Sequence, residues 1–347
     1  MIKGHVVVTR KIPEPGMEPL RAAGVSLSVL EEKEDRGPSH QDLLSVIPEC
    51  DVLLPLLTEP VDRTLLERGD RLLGVAQMAV GFDNVDVDAA TELGIPVGNT
   101  PGVLTETTAD LAWALLMAAA RRIPEAHNYQ VAGRYKLWGP NLFTGMDVGP
   151  GASGRRKVLG IVGYGRIGQA MAQRSHGFDM EVLAHDPYNR EGIDADARAT
   201  WADLPELLER SDFVTLHTLL TDETRHLIGE AELRRMKSTA ILINTARGPV
   251  VDEEALVQAL REEWIAGAGL DVYEDEPAMK PGLAELPNAV LLPHVASASR
   301  DTRGRMAEMA AANTLAFLQG RRGPTTVNPQ VYETAAYRAR TERVRGG

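Results

Sequence analysis

Short runs of apolar and β-branched residues recur along the chain, separated by stretches whose apolar positions fall at helical spacing. The runs at 5–9 (HVVVT), 25–30 (VSLSVL), 51–57 (DVLLPLL), 72–76 (LLGVA) and 95–99 (IPVGN) form one series. A second series follows at 157–163, 180–186, 212–217, 240–246, 266–273 and 288–295. Strands alternating with helices predict a parallel sheet covered by helices on both faces. At 347 residues the chain exceeds what one hydrophobic core supports, so the two series read as two α/β domains. Between them, ETTADLAWALLMAAARR (106–122) predicts a helix of four turns with Thr105 as N-cap and Glu106 and Asp110 near its positive end. Its small residues suit close approach of another helix, as a linker at an interdomain or subunit contact; an ordinary buried helix fits equally well. The Gly-rich segment 145–157 and the arginine-bearing tail after Pro329 show no apolar period and read as solvated.

Composition narrows the function. A hydrophobic share of 44% and a charged share of 25% are those of a soluble globular protein. The net charge of −12 disfavours the broad cationic surface on which nucleic-acid and anionic-membrane binders depend, which leaves small-molecule chemistry. The single cysteine, Cys50, cannot form an internal disulfide and reads as a buried apolar filler in a reducing compartment. No run approaches the ~20 apolar residues of a membrane span, and the N-terminal apolar run is too short for a signal peptide. A cytoplasmic location is the expectation.

The segment VLGIVGYGRIGQAMAQR places Gly163, Gly165 and Gly168 as G-x-G-x-x-G between a predicted strand and a predicted helix. Gly163 serves a tight turn, Gly165 lets backbone approach a pyrophosphate, and Gly168 lets helix and strand pack closely. The helix N-terminus offers free N–H groups to the phosphates. The next strand ends at Asp186, 18 residues beyond Gly168, where a carboxylate can accept the hydroxyls of the adenine ribose. Asp186 would repel a 2′-phosphate, so NAD(H) is expected in preference to NADP(H), with Arg190 four residues on as the opposing signal.

Three ionisable residues follow strands of this second series, where ligands of open α/β sheets bind: Arg247, Glu276 and His294. Singly, each fits a structural role; together they supply what reduction of a 2-oxo acid requires. A guanidinium pairs the substrate carboxylate through two donors, which suits Arg247. The carbonyl oxygen needs a proton as its carbon takes hydride, which suits His294. A carboxylate beside the histidine orients the ring and favours the imidazolium, which suits Glu276. No metal site is expected.

The segments AVGFDNVDVDAA (79–90), GVLTETTADLAWALLMAAARR (102–122), GIVGYGRIG (160–168), TARGPVVDEEAL (245–256), GLDVYEDEP (269–277) and LLPHVASAS (291–299) resemble the D-isomer-specific 2-hydroxyacid dehydrogenase family, over residues 40 to 329. The resemblance implies two Rossmann-like, doubly wound parallel-sheet domains with an active-site cleft between them. It builds a flavodoxin-like substrate-binding domain from 1–104 and 295–330, an NAD-binding domain from 105–294, and leaves 331–347 as a tail. It assigns the catalytic roles to Arg247, Glu276 and His294. It adds N–H groups at Val80 and Gly81 as carboxylate ligands, and Thr108, Arg166, Ile167, His217, Thr245 and Asp271 as cofactor contacts, Asp271 at the nicotinamide carboxamide. The family is typically dimeric.

Within the family, the stretch from 274 to 303 and LWGPNLFTG (137–145) are similar to hydroxypyruvate reductases that make D-glycerate with NADH and also reduce glyoxylate. Trp138, Leu142 and Phe143 are candidates to line a pocket from a partner subunit, and Trp138 also fits a core or interface anchor. Two alternatives stay open: another acid, 3-phosphoglycerate or D-lactate, and a dinucleotide-sensing, corepressor-like binding protein.

Overall fold

The computed structural model describes residues 2–31 and 36–346. The chain divides into two compact units, one built from Met1–Leu104 and Ser299–Gly347, the other from Thr105–Ala298.

In unit 1 the chain runs through β1 (His5–Val8), α1 (Glu14–Ala22), β2 (Ser26–Val29), α2 (His40–Val46), β3 (Val52–Leu54), α3 (Arg63–Arg68), β4 (Gly74–Ala76), α4 (Val87–Glu92) and β5 (Val97–Gly98). The strands form one parallel sheet in the order β2-β1-β3-β4-β5, which is the flavodoxin-like winding. Two apolar clusters cover its faces, one around Val6, Val8 and Leu54, the other around Val7, Leu53 and Val75. That split follows from the two-residue period of each strand. β3 is shorter than its apolar run because Pro55 has no N–H to give a sheet ladder. Cys50 is fully buried as expected, and burial pushes its thiol up to about 12.

Unit 2 comprises α5 (Thr105–Ala120), α6 (Ile123–Val131), β6 (Val158–Val162), α7 (Arg166–Ser175), β7 (Glu181–His185), α8 (Arg190–Asp194), β8 (Thr200–Trp201), α9 (Leu204–Arg210), β9 (Phe213–Leu216), α10 (Glu230–Arg235), β10 (Ile241–Asn244), α11 (Glu253–Arg261), β11 (Gly267–Leu270) and β12 (Ala289–Leu291). Its seven strands are parallel in the order β12-β11-β10-β9-β6-β7-β8, the doubly wound Rossmann arrangement extended by one strand. The winding reverses between β6 and β9, so the topological switch point lies where Gly163 and His217 follow those strands.

Several features differ from the sequence expectations. β8 carried no signal, being two residues long at a sheet edge. The alanine-rich helix begins at Thr105 itself and stops at Ala120 because Arg122 turns left-handed (φ 51°) before α6. Its small residues receive α7: Ala109 and Ala112 are buried, and Arg174 of α7 bonds Asp110 and Glu106. The segment 145–157 is anchored as well as exposed, since Val148 is buried and Arg155 and Arg156 bond Asp212 and the Asp179 carbonyl. Trp138 is 71% exposed and so is no core anchor within one chain.

The largest correction concerns the C-terminal tail. α12 (Arg300–Leu318) is followed by α13 (Ala335–Gly346), and both belong to unit 1. Val331 and Tyr332 are buried, and Arg340 is buried with its guanidinium donating to the carbonyls of Leu93, Gly69 and Leu72 at 2.8–3.0 Å. A planar group with five donors can close several orphan carbonyls at once, so here an arginine does the packing that apolar counting looks for.

Candidate active site

Glycine governs the switch point. Gly163 ends β6 at φ +90°, and a Cβ there would sit 2.7 Å from the His217 carbonyl. A Cβ on Gly168 would lie 2.3 Å from the Gly163 carbonyl oxygen, so α7 starts tight against the turn. Above Gly165 the space is open. No side chain caps α7, so the N–H groups of its first turn, at Arg166 and Ile167, face outward for an anion. At the end of β7, Asp186 accepts the Tyr164 N–H on one carboxylate oxygen (2.9 Å) and the Tyr188 N–H on the other (3.0 Å). A carboxylate has about four acceptor sites, so it retains acceptors for two hydroxyls.

Three buried polar atoms in the same region have no hydrogen-bond partner: His217 Nδ1, Thr218 Oγ1 and Thr245 Oγ1. They follow β9 and β10, on the side of the switch point away from Asp186. Buried polar atoms without partners are costly, and three at one sheet edge fit a ligand that supplies them. An open path over Gly165, an uncapped helix, an acceptor for ribose and these orphan groups together fit a dinucleotide. Burial lowers the His217 ring to about 3, so it meets such a ligand neutral. Thr218 was missed in the sequence, although it stands directly after His217 at the end of the strand. Thr108 is buried in α5.

Arg247, Glu276 and His294 follow the adjacent strands β10, β11 and β12, whose neighbours in a sheet lie about 4.8 Å apart. Arg247 leaves β10 in extended conformation (φ −143°, ψ 142°). The buried Asn244 side chain fixes this turn by accepting the Ala246 N–H (3.0 Å) and donating to the Arg247 carbonyl (2.9 Å). Gly248 allows the loops after β10 and β11 to meet, since a Cβ there would fall 1.8 Å from the Tyr273 carbonyl oxygen.

His294 and Glu276 are joined directly. His294 Nδ1 lies 2.8 Å from Glu276 Oε2, and each side chain is about a quarter exposed, at 25% and 23%. Glu276 Oε1 accepts the Tyr273 N–H at 2.9 Å, so both carboxylate oxygens are engaged and the ring is held through Nδ1 with Nε2 left for chemistry. His294 sits in the left-handed region (φ 52°). Asp271, fully buried, stabilises that turn by accepting the N–H groups of Val295 (2.8 Å) and Ala296 (2.7 Å). Burial raises the Asp271 carboxyl above its ordinary value, opposed by those two N–H donors. The Tyr273 hydroxyl donates to the Leu292 carbonyl, and burial pushes it up to about 12, so it stays neutral.

In unit 1, Val80 and Gly81 occupy the loop after β4. Side-chain amides tie their carbonyls: the buried Gln77 donates to Gly81 (2.7 Å) and the half-buried Asn99 to Val80 (2.9 Å). Their own N–H groups have no hydrogen-bond partner among the described residues. Among the described residues there is no cluster of three or more His, Cys, Asp or Glu fit to hold a metal, and no helix long and apolar enough to cross a membrane.

Comparison with known proteins agrees with this geometry. Residues 113–296 match the family model described as the D-isomer specific 2-hydroxyacid dehydrogenase, NAD binding domain. A glyoxylate reductase of Korarchaeum cryptofilum is 51% identical over 339 residues, covering 95% of this chain and 97% of that protein. A solved protein of Thermus thermophilus superposes with a TM-score of 0.83 at 42% identity, covering 93% of this chain and 99% of the other. An NADPH-dependent glyoxylate/hydroxypyruvate reductase of Sinorhizobium meliloti, solved with NADP and malonate, superposes with a TM-score of 0.77 at 30% identity, covering 96% of this chain and 97% of that one. With an NAD-binding domain of that description and relatives matched over almost their full length, the chain belongs to the D-isomer specific 2-hydroxyacid dehydrogenase family.

Proposed function

We propose that the protein reduces glyoxylate to glycolate and hydroxypyruvate to D-glycerate, with NADH as reductant. The observation that carries this reading is the 2.8 Å contact of His294 with Glu276 at the carboxyl edge of the dinucleotide-binding sheet, where Glu276 follows the strand next to that of Arg247. NADH, when bound, supplies the hydride that adds to the carbonyl carbon. Arg247 pairs the substrate carboxylate and so fixes which carbon is presented. As the carbonyl π pair moves onto oxygen, His294 gives that oxygen the proton on Nε2. Glu276 keeps the ring oriented and balances the imidazolium before the transfer. In unit 1, the N–H groups of Val80 and Gly81 are further donors suited to a carboxylate. Relatives named for glyoxylate support the substrate class.

A preference for NADH over NADPH rests on Asp186, a partly exposed carboxylate that would oppose a 2′-phosphate. Arg190, the cation that could offset it, is occupied: its guanidinium lies 4.1 Å from the Trp201 ring centroid and 3.7 Å from Asp194. We also read the protein as a homodimer, because α6 and the segment after it expose Val131, Tyr135, Leu137, Trp138 and Leu142 together.

Initial rates of NADH loss with glyoxylate, hydroxypyruvate, pyruvate and phosphohydroxypyruvate test the assignment, with NADPH as second reductant and His294→Ala as control. Turnover of glyoxylate and hydroxypyruvate that disappears in His294→Ala is the expected result. Turnover of none of the four despite NADH binding sinks the enzyme, and equal kcat/KM with NADH and NADPH sinks the cofactor preference.

A further inference from the structure

The loop that carries Glu276 is closed from behind by an acid outside the catalytic trio. Glu253, the first residue of α11, is 3% exposed. Its Oε2 accepts the Glu274 N–H at 2.7 Å and its Oε1 accepts the Lys280 N–H at 2.7 Å. These two N–H groups are the two ends of the loop 274–280, with Glu276 between them. The Glu253 N–H points back toward Glu274 Oε2 (3.4 Å), whose other oxygen meets His226 Nε2 at 2.7 Å. A buried carboxylate that takes two backbone donors at this distance forms the strong, charge-assisted kind of hydrogen bond, and the two donors meet separate oxygens, where an amide side chain would offer only one. Its neighbour Glu254 has the same charge in the same helical turn and is exposed.

We propose that Glu253 is a positioning residue for proton transfer: by closing both ends of the 274–280 loop it holds Glu276 against His294. This rests on the reading of His294 as proton donor. The chain of contacts is continuous, from the Glu253 carboxylate through the Glu274 backbone to Tyr273, whose N–H fixes Glu276 Oε1, and from Glu276 Oε2 to His294. A glutamine at 253 keeps the volume and presents one oxygen and one NH2, so one loop end faces a donor and moves away. Other ionisable groups around the pair are Asp271 and Tyr273 after β11, and Glu274, Asp275 and Lys280 on the loop itself, with His226 packed behind it.

The test compares Glu253→Gln with Glu254→Gln in glyoxylate reduction across pH, alongside NADH binding by fluorescence titration and thermal unfolding. In Glu253→Gln, kcat falls about tenfold, the alkaline limb of kcat/KM moves to lower pH, and NADH affinity stays within about twofold of wild type, since displacement by a fraction of an ångström suffices for losses of this size. Glu254→Gln keeps the wild-type profile. A Glu253→Gln enzyme with wild-type kcat and limb overturns the proposal, as does a loss equal at every pH that tracks the folded fraction. Should Glu253→Gln not fold, Glu253→Asp keeps the charge but is one methylene short of bridging both ends; its alkaline limb moving to lower pH supports the proposal, and an unmoved limb overturns it. If His294→Ala retains wild-type reduction in this assay, it is the assignment of the proton donor that fails.

Discussion

Replacing Glu276 by glutamine preserves the side chain's shape and inverts its meaning for His294. In the native site one carboxylate oxygen takes the Tyr273 N–H and the other faces His294 Nδ1 at 2.8 Å. Glutamine offers a single oxygen, and the fixed Tyr273 donor claims it, which turns the NH2 toward the ring. An imidazolium has hydrogen on both nitrogens, so its Nδ1–H would oppose another donor; the neutral ring, with a lone pair on Nδ1, is the form that fits. Losing a hydrogen bond to a charged group costs about 1.5–3 kcal/mol, and with both side chains only about a quarter exposed solvent offsets little of it. At about 1.36 kcal/mol per decade this is roughly a 10- to 150-fold loss of protonated donor. The expected outcome is a fall of that order in kcat/KM for glyoxylate at neutral pH, recovered as pH is lowered by one to two units, with NADH affinity unchanged. Initial rates of NADH loss measured between about pH 5 and 9 read it directly. Unchanged kcat/KM at neutral pH, or an equal loss at every pH, refutes the reasoning.

Trp138→Glu together with Leu137→Glu, placing two charges on the exposed apolar segment, converts a dimer to monomer by light scattering; a wild-type chain that is monomeric at every concentration, or a variant that stays dimeric, removes this face from the interface. Burial holds the His217 ring at about 3 against an ordinary 6.5, so below that ordinary value the unfolded chain takes up a proton that the folded chain does not, and stability falls with pH from 6.5 towards 3. Between about pH 6.5 and 5 this amounts to about 2 kcal/mol, so His217→Gln flattens that part of the urea-unfolding curve, and equal acid slopes in the two proteins count against a buried neutral ring.

What could be read from the sequence was whatever the strand period makes local. Parallel strands put their carboxyl ends on one edge, so Asp186, Arg247 and His294 declared themselves by standing directly after apolar runs, and Gly163 and Gly168 by spacing alone. Arg340 did not, because its partners are carbonyls of Gly69, Leu72 and Leu93, some 250 residues away in the chain, and an arginine in a polar segment reads as solvated until those carbonyls are known to need donors. β8 and Thr218 are too short a signal to separate from a loop.

Glu253 is the more instructive omission, because part of its signal was present. In α11 the buried positions Leu256, Val257 and Leu260 lie three, four and seven residues after it, the spacing of one helical face, whereas Glu254 falls off that stripe. An acid on the apolar stripe of an amphipathic helix predicts burial, and a buried carboxylate requires donors. The period therefore announces that Glu253 has a partner. It cannot say which, since the two N–H groups it meets belong to a loop 21 and 27 residues on, brought back only because β11 lies beside β10 and Gly248 lets the loops touch. A charge on a helix's apolar face is thus a sequence-level pointer to support of a site from behind, and the fold alone names the residue supported.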